Sequence, residues 1–174
     1  MADEYNATNS RNALNPLVGN ERKEGSMHLK IIPDIVKDQS ICALLSSSTA
    51  IEAAKAMVTH HCAAVVITDE DGKLIGIVTE RDLTRRVVAD DRDPKSTILG
   101  DIMSKDPDTL SPGDSALDAL ELMQVRGYRH LPVVDQDRVI GMVSVRDLYA
   151  AVKESLEKDI QETEAFVFGD RYGA

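Results

Sequence analysis

Two short motifs in the chain have the residue types and spacing to hold an anion and a diol side by side. They are Thr79…Asp82 and Ser144…Asp147, each a hydroxyl followed three residues later by a carboxylate, each directly after an apolar run. A helix starting there after a strand would aim free backbone N–H groups outward, which makes an anion site. A carboxylate beside that site can accept paired hydrogen bonds from vicinal hydroxyls, as acidic residues do for ribose in dinucleotide folds. Gly76 and Gly141, three residues before each hydroxyl, would let a ligand approach the backbone closely. Phosphate at the helix end and ribose on the aspartate together describe a nucleotide, twice over. The same residues also make an ordinary N-cap, with the hydroxyl accepting from a backbone N–H and the carboxylate favoured by the helix dipole. Both readings fit.

The motifs close two copies of one repeat, and the repeat says which elements must position them. Gly76-Ile77-Val78-Thr79-Glu80-Arg81-Asp82-Leu83 returns as Gly141-Met142-Val143-Ser144-Val145-Arg146-Asp147-Leu148, five of the eight positions being identical. Upstream, Ile51, Ala54, Met57 and Asp69 fall opposite Leu117, Leu120, Met123 and Asp135. The first copy has one extra residue, in the turn Asp69-Glu70-Asp71-Gly72-Lys73, where a duplicated unit tolerates it. Each copy reads strand, helix, strand, strand, helix. Short strands are expected near 41–45 and 109–110. Thr49 with Glu52, and Ser115 with Asp118, predict capping boxes for the first helices. Helical spacing places Ile51, Ala54, Met57 and Val58 on one face, and Leu117, Leu120 and Met123 on its counterpart. Paired strands follow at 63–68 with 74–78 and at 130–134 with 139–143, Asp71-Gly72 marking a hairpin. The second helices carry the stripes Leu83, Val87 and Leu148, Val152, Leu156, Ile160.

Composition narrows the partners. The 174 residues are 43% hydrophobic and 29% charged, and a chain of that size buries a core without metal or disulfide staples. A net charge of -10 and a pI near 4.8 argue against nucleic acid, which needs a basic face, and against anionic membranes. A local cationic pocket for a small anion remains open. Cys42 and Cys62, the only cysteines, read as reduced thiols rather than a scaffold. His60-His61-Cys62 does not read as a metal site, because adjacent side chains at a helix end cannot all face one ion. No apolar run is long enough to span a membrane, and the N-terminus lacks the basic start and apolar core of a signal peptide, so a cytoplasmic protein is expected. Residues 1–27, rich in Asn and without period, read as a disordered leader. The expected map continues with a first unit at 28–90, a linker and short helix at 91–103, a second unit at 104–155, and a C-terminal helix with an aromatic tail at 156–174.

The second copy, Tyr128-Arg129-His130-Leu131-Pro132-Val133-Val134-Asp135 and Gly141 to Leu148, resembles the pattern of the cystathionine-β-synthase (CBS) domain; the first does so at Ala63 to Asp69 and Gly76 to Leu83. The chain is similar to a tandem CBS pair, or Bateman module, over about residues 30–155. That resemblance implies an α/β fold of the α+β type, two β-α-β-β-α units packed through their sheets with pseudo-twofold symmetry and leaving two clefts. It implies an adenosyl effector (AMP, ADP, ATP, NAD(H) or S-adenosylmethionine) rather than a tightly bound cofactor, and a flat homodimer. By position, Asp82 and Asp147 would take ribose hydroxyls and Thr79 and Ser144 would contact phosphate. Adenine would lie against Ala64 and Val65, or against His130 and Leu131. The second copy has Arg129, His130 and Pro132 where the first has Ala63, Ala64 and Val66, which marks the second cleft for a phosphorylated ligand. Arg81 and Arg146 would supply counter-charge, or solvated salt bridges.

No nucleophile elbow, phosphate-binding Walker loop or zinc-protease His pair is present, so an enzyme is not expected. Two classes remain. One is a free-standing regulatory module that binds an adenine nucleotide or related molecule and signals to a regulated protein by changing shape. The other is a scaffolding or oligomerisation module with empty or vestigial clefts, its Thr/Ser-x-x-Asp motifs serving as caps alone.

Overall fold

The structure is a computed structural model and describes residues 29–37 and 39–169. The expected leader at 1–27 lies outside the described residues, as do the side chains of the aromatic tail. The first unit runs β1 (Ala43–Leu45), α1 (Ala50–His60), β2 (Ala64–Thr68), β3 (Leu74–Thr79) and α2 (Glu80–Leu83), which continues through a wide turn at Thr84–Val88. After α3 (Leu99–Ile102) and β4 (Ser104–Lys105), the second unit has α4 (Ala116–Arg126), β5 (His130–Asp135), β6 (Arg138–Ser144) and α5 (Val145–Gly169). β1 lies parallel to β2, β2 antiparallel to β3, and β3 antiparallel to β4. In the second unit β5 and β6 are antiparallel, and the expected first strand is a single parallel bridge, Leu110 to Val133.

Local sequence accounts for the turns. Asp69 Oδ1 accepts from Asp71 N and Lys73 N, and Gly72 takes a φ of 82° that its missing Cβ permits. The shorter second hairpin turns on two left-handed residues, Gln136 (φ 47°) and Asp137 (φ 66°), as a two-residue connection requires. Glu52 caps α1 by accepting from Thr49 N and Thr49 Oγ1. Ser115 caps α4 by accepting from Leu117 N, and no return bond from Asp118 is present among the described residues, so the box expected there is only half formed.

The inward faces of α1 and α4 are rotated from those expected. Ala50, Ala53 and Met57 are buried in one, and Ala116, Ala119 and Met123 in the other. Val58 and Leu117 instead face solvent, 75% and 45% exposed. Ala50 N donates to Thr97 O and Ala116 N to Leu29 O, so each helix start is tied to a lead-in segment with its alanine face buried.

Those two bonds also show how the units are joined. Residues 29–36 precede the first unit yet pack on the second, where Ile31 and Val36 join Met123, Leu131, Val143 and Leu148 in one core. Leu99 and Ile102 precede the second unit yet join Met57, Ile67 and Val87 in the first core. Ile31 N donates to Asp114 O as Leu99 N does to Ser48 O. The sequence boundaries at 28–90 and 104–155 therefore do not divide the two cores, because the lead-in segments are exchanged.

Each crossing lies over a glycine of the repeated motif. A Cβ at Gly76 would meet Met103 Sδ at 2.5 Å, and one at Gly141 would meet Val36 Cγ1 at 2.7 Å. These glycines admit the partner unit's lead-in, not a ligand as the sequence suggested. Met103 can swing its thioether aside, whereas Val36 is β-branched and fixed. Gly141→Ala should cost about 1–3 kcal/mol of stability in urea unfolding, and Gly76→Ala less.

Candidate functional site

Both expected hydroxyl–carboxylate pairs form, in the same geometry. Asp82 Oδ2 accepts from Thr79 N at 2.9 Å and Thr79 Oγ1 at 2.6 Å, while Asp82 N donates back to Thr79 Oγ1. Asp147 Oδ2 accepts from Ser144 N at 3.1 Å and Ser144 Oγ at 2.6 Å, and Asp147 N donates to Ser144 Oγ. These are complete capping boxes, and each uses one carboxylate oxygen only. The hydroxyls of Thr79 and Ser144 have their protons committed to the aspartates. Strand pairing takes a further donor: Glu80 N bonds Ala63 O, and Val145 N bonds Arg129 O. Of the first-turn donors expected to face a phosphate at α5, Arg146 N is the one left.

The pairs open into two clefts, each shared by both units. The larger, about 610 Å³, holds Ser144 and Asp147 and is walled by Gln39 to Cys42 and His60 to Ala64. The smaller, about 320 Å³, holds Thr79 and Asp82 and is walled by Ser104 to Asp108 and Arg126 to Leu131. Each aspartate thus faces the strand start of the opposite unit. Ala64 lies across from Asp147 and Leu131 across from Asp82. Val65 and Pro132 line neither cleft: Val65 is fully buried in the first core, and Pro132 is buried with its carbonyl accepting from Leu110 N.

Arg81, Arg129 and His130 line both clefts. The Arg129–His130 difference between the copies therefore does not single out the second cleft, since the two side chains stand where the clefts adjoin. Arg146 joins the larger cleft; Arg85, Lys105 and Arg126 join the smaller. The lead-in walls, 39–42 and 104–108, were not among the sequence candidates. They occupy corresponding places just past each crossing, so the repeat itself carried the signal.

The family model for the CBS domain matches residues 34–89 and 99–154, one copy on each unit. The chain belongs to the CBS domain family. The tandem CBS arrangement is similar to the mitochondrial CBS domain-containing protein CBSX3 of Arabidopsis thaliana, 32% identical over 84% of this chain and 76% of that one. A Methanopyrus kandleri protein is 36% identical over 67% of this chain and 63% of its own length. Among solved structures, a protein with CBS domains from Burkholderia ambifaria MC40-6 is 34% identical, with a TM-score of 0.62 over 65% of this chain and 82% of that one.

Electrostatics at the CBS clefts centre on His130. Burial and the neighbouring Arg129 charge lower its pKa from the ordinary 6.5, outweighing Asp147 and Glu80, which raise it. In the larger cleft the Cys42 thiol is raised to about 11, by burial first and then by the adjoining Cys62, so it stays protonated and unreactive at neutral pH. In the smaller cleft Tyr128 is raised by burial and by its hydrogen bond to Asp108. Because folded His130 binds a proton less readily than the unfolded chain, its contribution is complete above pH 6.5 and is lost as pH falls below it. Urea unfolding followed from about pH 7 to about pH 5 should show that loss, and His130→Gln should flatten it.

Proposed function

We propose that this tandem CBS protein is a cytoplasmic regulatory module that binds an adenine nucleotide or related adenosyl ligand in its larger cleft. The observation that carries the reading is Asp147, an exposed carboxylate whose Oδ1 has no hydrogen bond or ion pair among the described residues. It stands in a cleft whose volume falls in the usual range for small-molecule sites. Ribose hydroxyls would donate to Oδ1 while Oδ2 stays in the cap. The guanidinium groups of Arg81, Arg129 and Arg146 have no hydrogen bond or ion pair among the described residues, and together with Arg146 N they would hold the phosphate. Ala64 and Ile41 offer apolar surface for the base. Thr79 and Ser144 act through their caps rather than on phosphate. Free thiols at Cys42 and Cys62 fit a reducing compartment.

The cleft spans two units joined by exchanged lead-ins, so a ligand that binds closed and open forms unequally shifts their balance and alters the surface a regulated protein reads. Val58, Leu117, Val125 and Tyr149 are apolar or aromatic side chains exposed on α1, α4 and α5, and they support a homodimer formed through these helices. That same surface, with both capping boxes formed, favours the second reading, an oligomerisation module with empty clefts.

Calorimetric titration with AMP, ATP, NADH and S-adenosylmethionine separates the two. Asp147→Asn keeps a carbonyl oxygen for the cap and replaces the free oxygen with a donor. It should weaken binding about tenfold or more, the effect of losing a hydrogen bond to a charged group, while stability changes little. If none of the four compounds binds folded, ligand-free protein, the scaffold reading replaces this one.

A further inference from the structure

The two aspartates are equivalent in sequence but not in state, and we infer that Arg86 decides which cleft receives ribose: it holds Asp82 closed and leaves Asp147 as the one diol site per chain. The inference rests on the adenosyl reading above. Arg86 Nε lies 3.6 Å from Asp82 Oδ1, the oxygen that the cap leaves over. Its Nη1 donates to the carbonyl of Ile102 in α3, so the guanidinium is fixed between the carboxylate and the exchanged lead-in. An isolated surface ion pair would be easily displaced. Here the Asp82 side chain is only 15% exposed and both of its oxygens are engaged, so a ribose hydroxyl would have to break an anchored contact.

The position corresponding to Arg86, four residues after the aspartate, is Ala151 in the second unit. A methyl group cannot reach Asp147, and the residue Asp147 is exposed to its cleft. Other groups of the smaller cleft are paired in the same inward way. Arg126 Nε lies 3.6 Å from Asp108 Oδ2, and Tyr128 bonds Asp108 as well. Asp82 and Asp108 of the smaller cleft are thus both paired with arginines, while the larger cleft keeps one oxygen of Asp147 for a ligand. A single arginine, present in one copy of the repeat and absent from the other, turns two equivalent motifs into one site and one structural tie.

Equilibrium dialysis of the full chain against radiolabelled AMP, ATP, NADH and S-adenosylmethionine reads the stoichiometry. Wild type should bind at least one of them at one molecule per chain. Arg86→Gln, which keeps a donor for the Ile102 carbonyl, should bind two; Arg86→Lys, which keeps the charge, should stay at one. Ala151→Arg places a guanidinium one turn from Asp147 and should weaken the single wild-type site at least tenfold. Two equal sites in wild type, or one site in folded Arg86→Gln, overturns the inference while leaving the adenosyl reading intact. Wild-type affinity in Ala151→Arg overturns it equally, and decides the matter should Arg86→Gln not fold. Binding of none of the four compounds by wild type overturns both.

Discussion

The exchange of lead-in segments is the constraint on which the remaining structure depends. Residues 29–36 and 97–103 each cross from their own unit to complete the opposite core, placing Ile31 and Val36 on one side and Leu99 and Ile102 on the other. Neither β-hairpin with its two helices has enough apolar partners without that segment, because a unit of about 60 residues buries too small a share of its surface to be robust alone. Gly141 lies against the fixed Val36 Cγ1 and Gly76 against the movable Met103 thioether, and Ala50, Ala53, Ala116 and Ala119 are buried on the inward faces of α1 and α4. The two glycines of the repeat accommodate the exchange, while Val58, Leu117 and Val125 of α1 and α4 face outward and Met57 and Met123 stay in the cores.

The clefts are a consequence of the same arrangement. Once the lead-ins cross, the chain just beyond each crossing, at 39–42 and at 104–108, becomes a cleft wall. The opposite wall is the strand start of the other unit, so Arg129 and His130 come to stand between the clefts and contribute to both. Pairing of Val145 N with Arg129 O and Glu80 N with Ala63 O removes donors that an isolated helix would leave free. What the clefts present to an anion is therefore mostly arginine side chains, with few free donors at the helix ends.

Pseudo-symmetry in the backbone coexists with inequality in chemistry. The caps at Thr79–Asp82 and Ser144–Asp147 agree bond for bond. What differs is the neighbour one helical turn later, Arg86 against Ala151, and the cleft volume, about 320 against about 610 Å³. The second helices diverge too. α2 ends in a wide turn at Val88, whereas α5 runs from Val145 to Gly169, with Leu156 and Ile160 half exposed once Val152 has left the core behind.

The sequence by itself determined the repeat, the two hairpins to within a residue or so at their ends, and three of the four hydroxyl–carboxylate caps. These depend on hydrogen bonds and apolar alternation within a few residues, where identity and spacing suffice: Asp69 with Gly72, Thr49 with Glu52, Ser144 with Asp147. Only the tertiary structure decided that Gly76 and Gly141 face Met103 and Val36, that Val65 and Pro132 are core, and that Ala64 serves Asp147 rather than Asp82. The helix faces depart from the expected ones because periodicity reports an apolar stripe but not which part of it the core covers: Ala53 and Ala119 are buried while Val58 and Leu117 are exposed. The inequality of the two aspartates was hidden for a similar reason. Arg86 reads as one more solvated charge until α3 is folded back from the linker and its Ile102 carbonyl fixes the guanidinium against Asp82.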